Sequence, residues 1–362
     1  MNARYDIAIV GAGIAGASLA AAIGGRASVL LLEAEDLPGY HATGRSAAFW
    51  SESYGGPGVQ PLTTASGPAL RDGGFLQPLG SLHIGRVEDA AKIDAFLAEF
   101  AGTGVVLNTV DPAALVPGLR PEWTLGVMEA SSAYIDVAAL HADCLARAKR
   151  SGVTLATQAG LRGAERIGGT WRLDTEAGAF EADVLVDAAG AWADSIARIA
   201  GARPIGIQPY RRTVVQLRTD PPSHDGLPHV ADISGNFYFK PEAGGRLWLS
   251  PHDETPVDPH DVQPEELDVA IGIDRFERVV DWRVTVVERR WAGLRSFAPD
   301  RLPVYGFDAR VPGFFWCAGQ GGFGIQTAPA AATLAAALLL GVTPDESVAA
   351  IDPAVYAPGR FD

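Results

Sequence analysis

Three glycines at fixed spacing, Gly11-Ala-Gly13-Ile-Ala-Gly16, follow the apolar run Tyr5–Val10 and open an alanine-rich stretch that reaches about Ile23. Such a stretch reads as a buried strand, a tight turn and a helix in succession, which confines the chain to a small set of α/β folds. Gly11 permits the turn, Gly13 lets a pyrophosphate touch the backbone, and Gly16 lets helix and strand approach. The helix N-terminus then turns free N–H groups and the positive end of its dipole towards phosphates. Ser28–Leu32 is a second short buried strand. Glu33 closes it, where a carboxylate can accept both ribose hydroxyls and disfavours a 2′-phosphate. The chain therefore begins with a βαβ unit suited to a dinucleotide.

The 362 residues, 48% of them hydrophobic, leave room for two domains with a sizeable core. A formal charge of −14 argues against a nucleic-acid surface or an anionic membrane, since either needs a basic patch. Cys144 and Cys317 lie far apart in apolar surroundings, which suits a reducing, cytoplasmic compartment and no disulfide framework. The first strand starts by about Tyr5, leaving no room for a signal peptide, and Ala330–Leu340 is too short to span a bilayer. His252 and His260 in PHDETPVDPHD match no zinc spacing, so a proline-rich acidic loop and no metal are expected.

Further on, Ala90–Phe100 and Val137–Ser151 have helical spacing, the latter with Leu140, Cys144 and Ala148 on one stripe. DVLVDA (Asp183–Ala188), ending in Gly190, reads as a continuous buried strand and implies a return to the parallel sheet. Ile207–Arg218, Phe237–Lys240, Arg246–Leu249 and Trp282–Arg290 are expected in a second, antiparallel sheet. GFFWCA (Gly313–Ala318) is a buried strand that leads through QGGFGIQT into a helix from about Ala328 to Leu340, with Thr327 as its cap. The glycines of that last segment free amides able to stabilise negative charge on the pyrimidine edge of a reduced flavin, which favours a flavin over NAD. Dinucleotide-type pieces at the start, middle and end imply two interleaved domains. The expected fold class is α/β (α+β overall). A Rossmann-type cofactor domain (residues 1–80, 137–205 and 299–362) is interleaved with an antiparallel-sheet substrate domain (81–136 and 206–298).

The segments YDIAIVGAGIAGAS, LLEAEDLPGYHATGRSAAFWSESYG, VLVDAAGAWAD, QPYRRT, FYFKPEAG, WAGLRSFAPD and FFWCAGQGGFGIQT occur in order along nearly the whole chain. Together they resemble the D-amino-acid oxidase-like flavoenzymes, the group of glycine oxidase, sarcosine oxidase and D-amino-acid dehydrogenase, and most of all the bacterial D-arginine dehydrogenases. The resemblance implies non-covalent FAD and oxidative deamination of a D-amino acid to a 2-oxo acid and ammonia, by hydride transfer from Cα to flavin N5. Sarcosine oxidases attach the flavin to a cysteine and carry a basic residue beside it. Arg295-Ser-Phe297 lacks that cysteine and Ala47-Ala48-Phe49 lacks the basic residue, so that branch fits less well.

Strand alternation in QPYRRT sends Arg211 and Arg212 to opposite faces, and the resemblance selects Arg212, with Arg295, as a carboxylate clamp. It also implies that Tyr54 and Tyr238 line the substrate cavity and that Gly322 offers its carbonyl to the substrate amine. For the cofactor it implies Gly11, Gly13, Ala15, Gly16, Glu33, Ala34, Ala42, Thr43, Gly44, Arg45, Ser46, Ala47, Ala48, Leu161, Gly190, Gly321, Gly322, Phe323, Gly324, Ile325 and Gln326. Ala42–Phe49 would be the strip against which the flavin lies. Arg45 there is either a positive charge near the cofactor or half of a structural ion pair.

Where D-arginine dehydrogenases place a glutamate for the basic side chain, QPLGSLHIG puts Ser81, and no carboxylate lies between Gln77 and Val87. A guanidinium left without its counter-charge in a closed site is costly, so arginine is not expected to be the best substrate. His83 and His229 near that cavity either favour a polar or acidic side chain or are structural. The alternative function is oxidation of an N-substituted glycine, a cyclic secondary amine or an α-hydroxy acid. Oxygen, a quinone and another carrier all remain open as electron acceptor.

Overall fold

The computed structural model describes residues 4–224 and 226–361. Its first strand, Arg4–Val10, is buried from Ile7 onward on both faces, which suits the middle of a parallel sheet covered on both sides. It pairs in parallel with Val29–Leu32 on one flank and Gly178–Asp187 on the other. Thr154–Ala156 and Phe314–Ala318 extend those flanks, again in parallel. Antiparallel strands Leu161–Ile167, Thr170–Thr175 and Val304–Phe307 bring the sheet to eight.

Helix Ile14–Ile23 is apolar nearly all round and packs against helices Val137–Arg150 and Gly324–Leu340. Gly16 lets the same helix close onto the turn and strand before it: a Cβ there would sit 1.9 Å from the Gly11 carbonyl oxygen and 3.3 Å from Ile9 Cγ2. Asp136 caps Val137–Arg150 by accepting the Ala139 N–H, and the buried stripe Leu140, His141, Cys144 and Ala148 faces the core.

The second sheet has ten strands. Its spine is the long ladder of Gln208–Asp220 against Arg283–Phe297, which carries Arg212 and Arg295 on paired strands. Tyr238–Glu242 and Arg246–Ser250 are antiparallel, but His229–Asp232 lies parallel to Ser81–Gly85. No helix among the described residues is long and apolar enough to cross a membrane.

The C-terminal helix differs from expectation. It begins at Gly324, not Ala328, and Thr327 does not cap it. The Thr327 hydroxyl instead donates to the Phe323 carbonyl inside the first turn. Glycines at 321, 322 and 324 let the chain pass from strand Gln320–Gly321 almost directly into helix, so the apolar periodicity starts later than the helix does.

Candidate active site

A cavity of 730 Å³ draws its walls from both sheets. At one end the glycine turn follows the first strand. Gly11 has φ +101°, and a Cβ there would lie 2.5 Å from the Ala188 carbonyl oxygen, so only glycine fits. Glu33, 9% exposed, accepts the N–H groups of Ala12 (3.0 Å) and Glu35 (3.1 Å), which holds its carboxylate against the turn. The Ile14 N–H donates to the Thr43 hydroxyl (3.0 Å) and so fastens the small-residue strip across the helix N-terminus.

Gly13, Ala15, Ala34, Ala42, Ser46, Ala47, Ala48, Leu161 and Gly190 line this cavity, as do Gly321, Gly322, Gly324, Ile325 and Gln326. Three of the expected residues do not. Gly16 is taken up in packing the helix against the glycine turn and Ile9. Gly44 donates its N–H to the Gly39 carbonyl (2.7 Å) in a turn too tight for a side chain. Phe323 is buried against Tyr54 and Phe297. Arg45 lies on the wall, but its guanidinium pairs with Asp261 (2.5 Å) and donates to the Val262 carbonyl (3.1 Å). The ion pair takes up its charge.

The other end carries the two arginines expected to clamp a carboxylate. Arg211 turns away to Glu265 and Asp268, while Arg212 enters the wall. Arg212 donates through Nε to the Asp253 carbonyl (2.8 Å) and through Nη2 to Glu254 Oε1 (3.1 Å). Arg295 donates through Nη1 to that same oxygen (2.8 Å) and through Nη2 to the Tyr54 hydroxyl (2.5 Å). Arg301 adds a third guanidinium to Glu254 (3.0 Å). Burial would raise the Glu254 carboxyl, but Arg295, Arg301 and Arg212 together hold it below the ordinary carboxylate value. Asp253 sets this up by accepting the Thr213 N–H (2.7 Å) and hydroxyl (2.9 Å), pinning the loop to the strand beside Arg212.

Glu254 was invisible in the sequence, because DETPVD reads as a solvated acidic loop and nothing local says that it folds back onto two arginines. His252 does lie on a loop, as expected, but its place on the cavity wall escaped for the same reason. It lines the cavity, with its ring bonded to the Gly235 carbonyl. At Gly322 a Cβ would fall 2.1 Å from Arg295 Nη2, so glycine there makes room for the clamp.

Tyr54 is held by the chain before it. The fully buried Glu129 carboxylate accepts the Ser51 hydroxyl (2.8 Å) and the Glu52 N–H (2.6 Å), and Gln326 donates to the Tyr54 carbonyl (3.0 Å). Ser81, His83, His229, Tyr238 and His252 join Phe49, Phe96 and Asp232 on the wall at this end. The Ser81 hydroxyl bonds His229 Nδ1 at 2.9 Å. Burial pushes His83 down to about 4 and His252 to about 3, the latter with help from Arg212 and Arg295. It takes His229 well below the ordinary imidazole value. All three rings are neutral at pH 7.

A glycine turn with its acid on a parallel sheet, roofed by a mainly antiparallel sheet across a shared cavity, defines a dinucleotide-binding α/β protein with a second, ligand-covering sheet. The chain belongs to the family of FAD dependent oxidoreductases (DAO), which it matches over residues 6–338. FAD is that family's cofactor. The hydrogen cyanide synthase subunit HcnC of Pseudomonas aeruginosa is 29% identical over 202 residues, 56% of this chain and 45% of that protein. In structure the chain is similar to glycine oxidase from Geobacillus kaustophilus (TM-score 0.83, 22% identical, 97% of this chain and 99% of that one). It is also similar to L-proline dehydrogenase from P. horikoshii (TM-score 0.86, 20% identical, 100% and 98%). The matches to HcnC and two other curated relatives span less than half of those proteins' lengths.

The residues present fit FAD. Gly11 and Gly13 leave the backbone bare beneath the helix N-terminus, Glu33 stands at the end of the second strand, and Ala42–Ala48 supplies a surface of small side chains. Both cysteines are buried away from the cavity wall.

Proposed function

We propose that the protein is an FAD-dependent D-amino-acid dehydrogenase or oxidase that forms an imino acid, which water converts to a 2-oxo acid and ammonia. The observation that carries this reading is the convergence of Arg212 and Arg295 in the same cavity as the glycine turn. Bound FAD supplies the acceptor for the hydride that leaves Cα. The protein's own groups position the substrate. The two guanidiniums hold its carboxylate with planar forks that lysine cannot match. The Tyr54 hydroxyl sits beside the clamp to bond the same carboxylate, Tyr238 covers the site, and the Gly322 carbonyl accepts an N–H from the amine. With carboxylate and amine both fixed, Cα–H has one orientation, and orientation is most of what this reaction requires. The amine must be neutral so that its lone pair can form the C=N bond as the hydride departs.

Residues 1–80, 137–205 and 299–362 act in this scheme as the cofactor body, and 81–136 and 206–298 as the substrate body. In this scheme the cofactor is held without a covalent bond. Motif resemblance points to the D-arginine dehydrogenases, yet Ser81 and the neutral imidazoles offer a guanidinium side chain no counter-charge where those enzymes place their glutamate. A second reading, a secondary-amine substrate, is favoured by the structural neighbour named L-proline dehydrogenase, since proline is a cyclic secondary amine.

The test is anaerobic reduction of the yellow holoprotein by D- and L-amino acids, glycine, sarcosine, proline and lactate. D-amino acids are expected to bleach the flavin. Bleaching by sarcosine or proline alone supports the second reading, and no bleaching by any of them sinks both. Admitting air afterwards tells whether oxygen restores the colour.

A further inference from the structure

We propose that Ser81, His83 and His229 form the selectivity wall that reads the substrate's side chain, and that this wall accepts an uncharged, flat side chain bearing a hydrogen-bonding group. The inference rests on the carboxylate clamp proposed above, because it concerns the part of the same ligand that the clamp does not hold.

The wall is built from rings. His229 lies 4.3 Å from Phe49 with planes 33° apart and 5.4 Å from Tyr238. His83 lies 4.6 Å from Phe96. All these side chains line the cavity, so a flat group meets aromatic faces there. Two nitrogens in this wall lack partners. His83 Nε2 and His229 Nε2 are buried without a hydrogen bond. Unmet polar atoms in a closed site carry a cost that a ligand relieves by supplying the missing bond. The Ser81 hydroxyl can donate to or accept from His229 Nδ1, so the imidazole can switch tautomer and present Nε2 as donor or acceptor. The pair therefore suits a hydroxyl, an amide or a ring N–H equally.

Charged side chains fit worse. The carboxylate at this end, Asp232, turns its lone pairs to Ser234 N (3.0 Å), Asn236 N (3.2 Å) and Asn236 Nδ2 (2.6 Å), and its charge is shared with the nearby Lys92 ammonium, so a cation finds a counter-charge already engaged. Lys240 belongs to the same strand as Tyr238 but lies over the rings of Tyr134 and Trp248 and pairs with Glu242, so an anion finds no ready ammonium. Binding an anion would require protonating an imidazole that burial keeps neutral.

The experiment needs no turnover. The FAD-loaded protein is titrated with 3-phenylpropanoate, its ring-hydroxylated analogues and its ring-guanidino and ring-carboxy analogues, following the visible flavin spectrum. A hydroxylated analogue should bind about tenfold more tightly than the parent, the worth of one good neutral hydrogen bond. The guanidino and carboxy analogues should bind more weakly. His229→Phe should erase the hydroxyl preference, so that the hydroxylated analogue and the parent bind within about twofold of each other. Ser81→Ala, which keeps every ring, should reduce the preference and serves if His229→Phe does not fold. Tightest binding by a charged analogue, no hydroxyl preference in the wild type, or a preference kept in both variants overturns the selectivity wall but leaves the clamp standing. Failure of every carboxylate to perturb the flavin overturns the clamp, and the selectivity wall falls with it.

Discussion

Glu254 governs how much positive charge the clamp shows to a ligand. One of its oxygens takes bonds from Arg212, Arg295 and Arg301 at 3.1, 2.8 and 3.0 Å, yet it does not line the cavity. It serves as a positioning residue behind the arginines rather than as a substrate contact. Replacing it by glutamine leaves two nearly buried cations facing each other without a counter-ion, at a cost of about 1–3 kcal/mol in stability. A bound carboxylate then supplies the missing charge, so benzoate should raise the melting temperature of Glu254→Gln more than that of the wild type. Equal shifts would show that Glu254 does not balance the clamp. Arg212 itself was legible, because strand alternation separates it from Arg211 and motif resemblance then selects it. Its carboxylate partner was not, because the two lie 42 positions apart and meet only when the loop folds back.

Among the elements, the strip Ala42–Ala48 depends most on side-chain size. It crosses the start of helix Ile14–Ile23, fastened by Thr43, and lines the cavity with small residues. Ala47→Leu adds three carbons to that wall. The protein should purify with little or no flavin, while far-ultraviolet dichroism stays that of the wild type. Normal flavin content would count against this placement. Most elements were readable because burial writes itself into local pattern: the two-sided apolar run of the first strand, the stripe on Val137–Arg150, the run DVLVDA. Others were not. The parallel pairing of His229–Asp232 with Ser81–Gly85 joins residues 148 apart at Ser81 and His229, and neither strand carries a mark of its partner. The early start of Gly324–Leu340 escaped because glycines carry no periodicity.

For the whole molecule, the three neutral histidines of the cavity couple stability to pH. Burial holds His83 near 4 while the unfolded chain titrates near 6.5, so between those values the unfolded state binds more protons. Stability therefore falls as pH drops through that window, by about 2 kcal/mol from His83 between pH 7 and pH 5. Asp187, whose carboxyl burial raises, acts with the opposite sign. Urea unfolding of the wild type against His83→Phe at both pH values isolates the histidine. Equal pH dependence in the two proteins would exclude a neutral buried His83.

The amino-acid sequence by itself determined the dinucleotide turn, the acid that follows it, the main buried strands and the separation of Arg212 from Arg211 onto opposite faces of one strand. These follow from interactions within a few residues, or from the alternation of neighbours along one strand. Only the tertiary structure decided what surrounds the clamp: Glu254 behind it, Glu129 beneath Tyr54, and three histidines from separate strands and a loop gathered on one wall. Electrostatic balance and shared burial act between residues that are distant along the chain, and they come into force when the two sheets close over a common cavity.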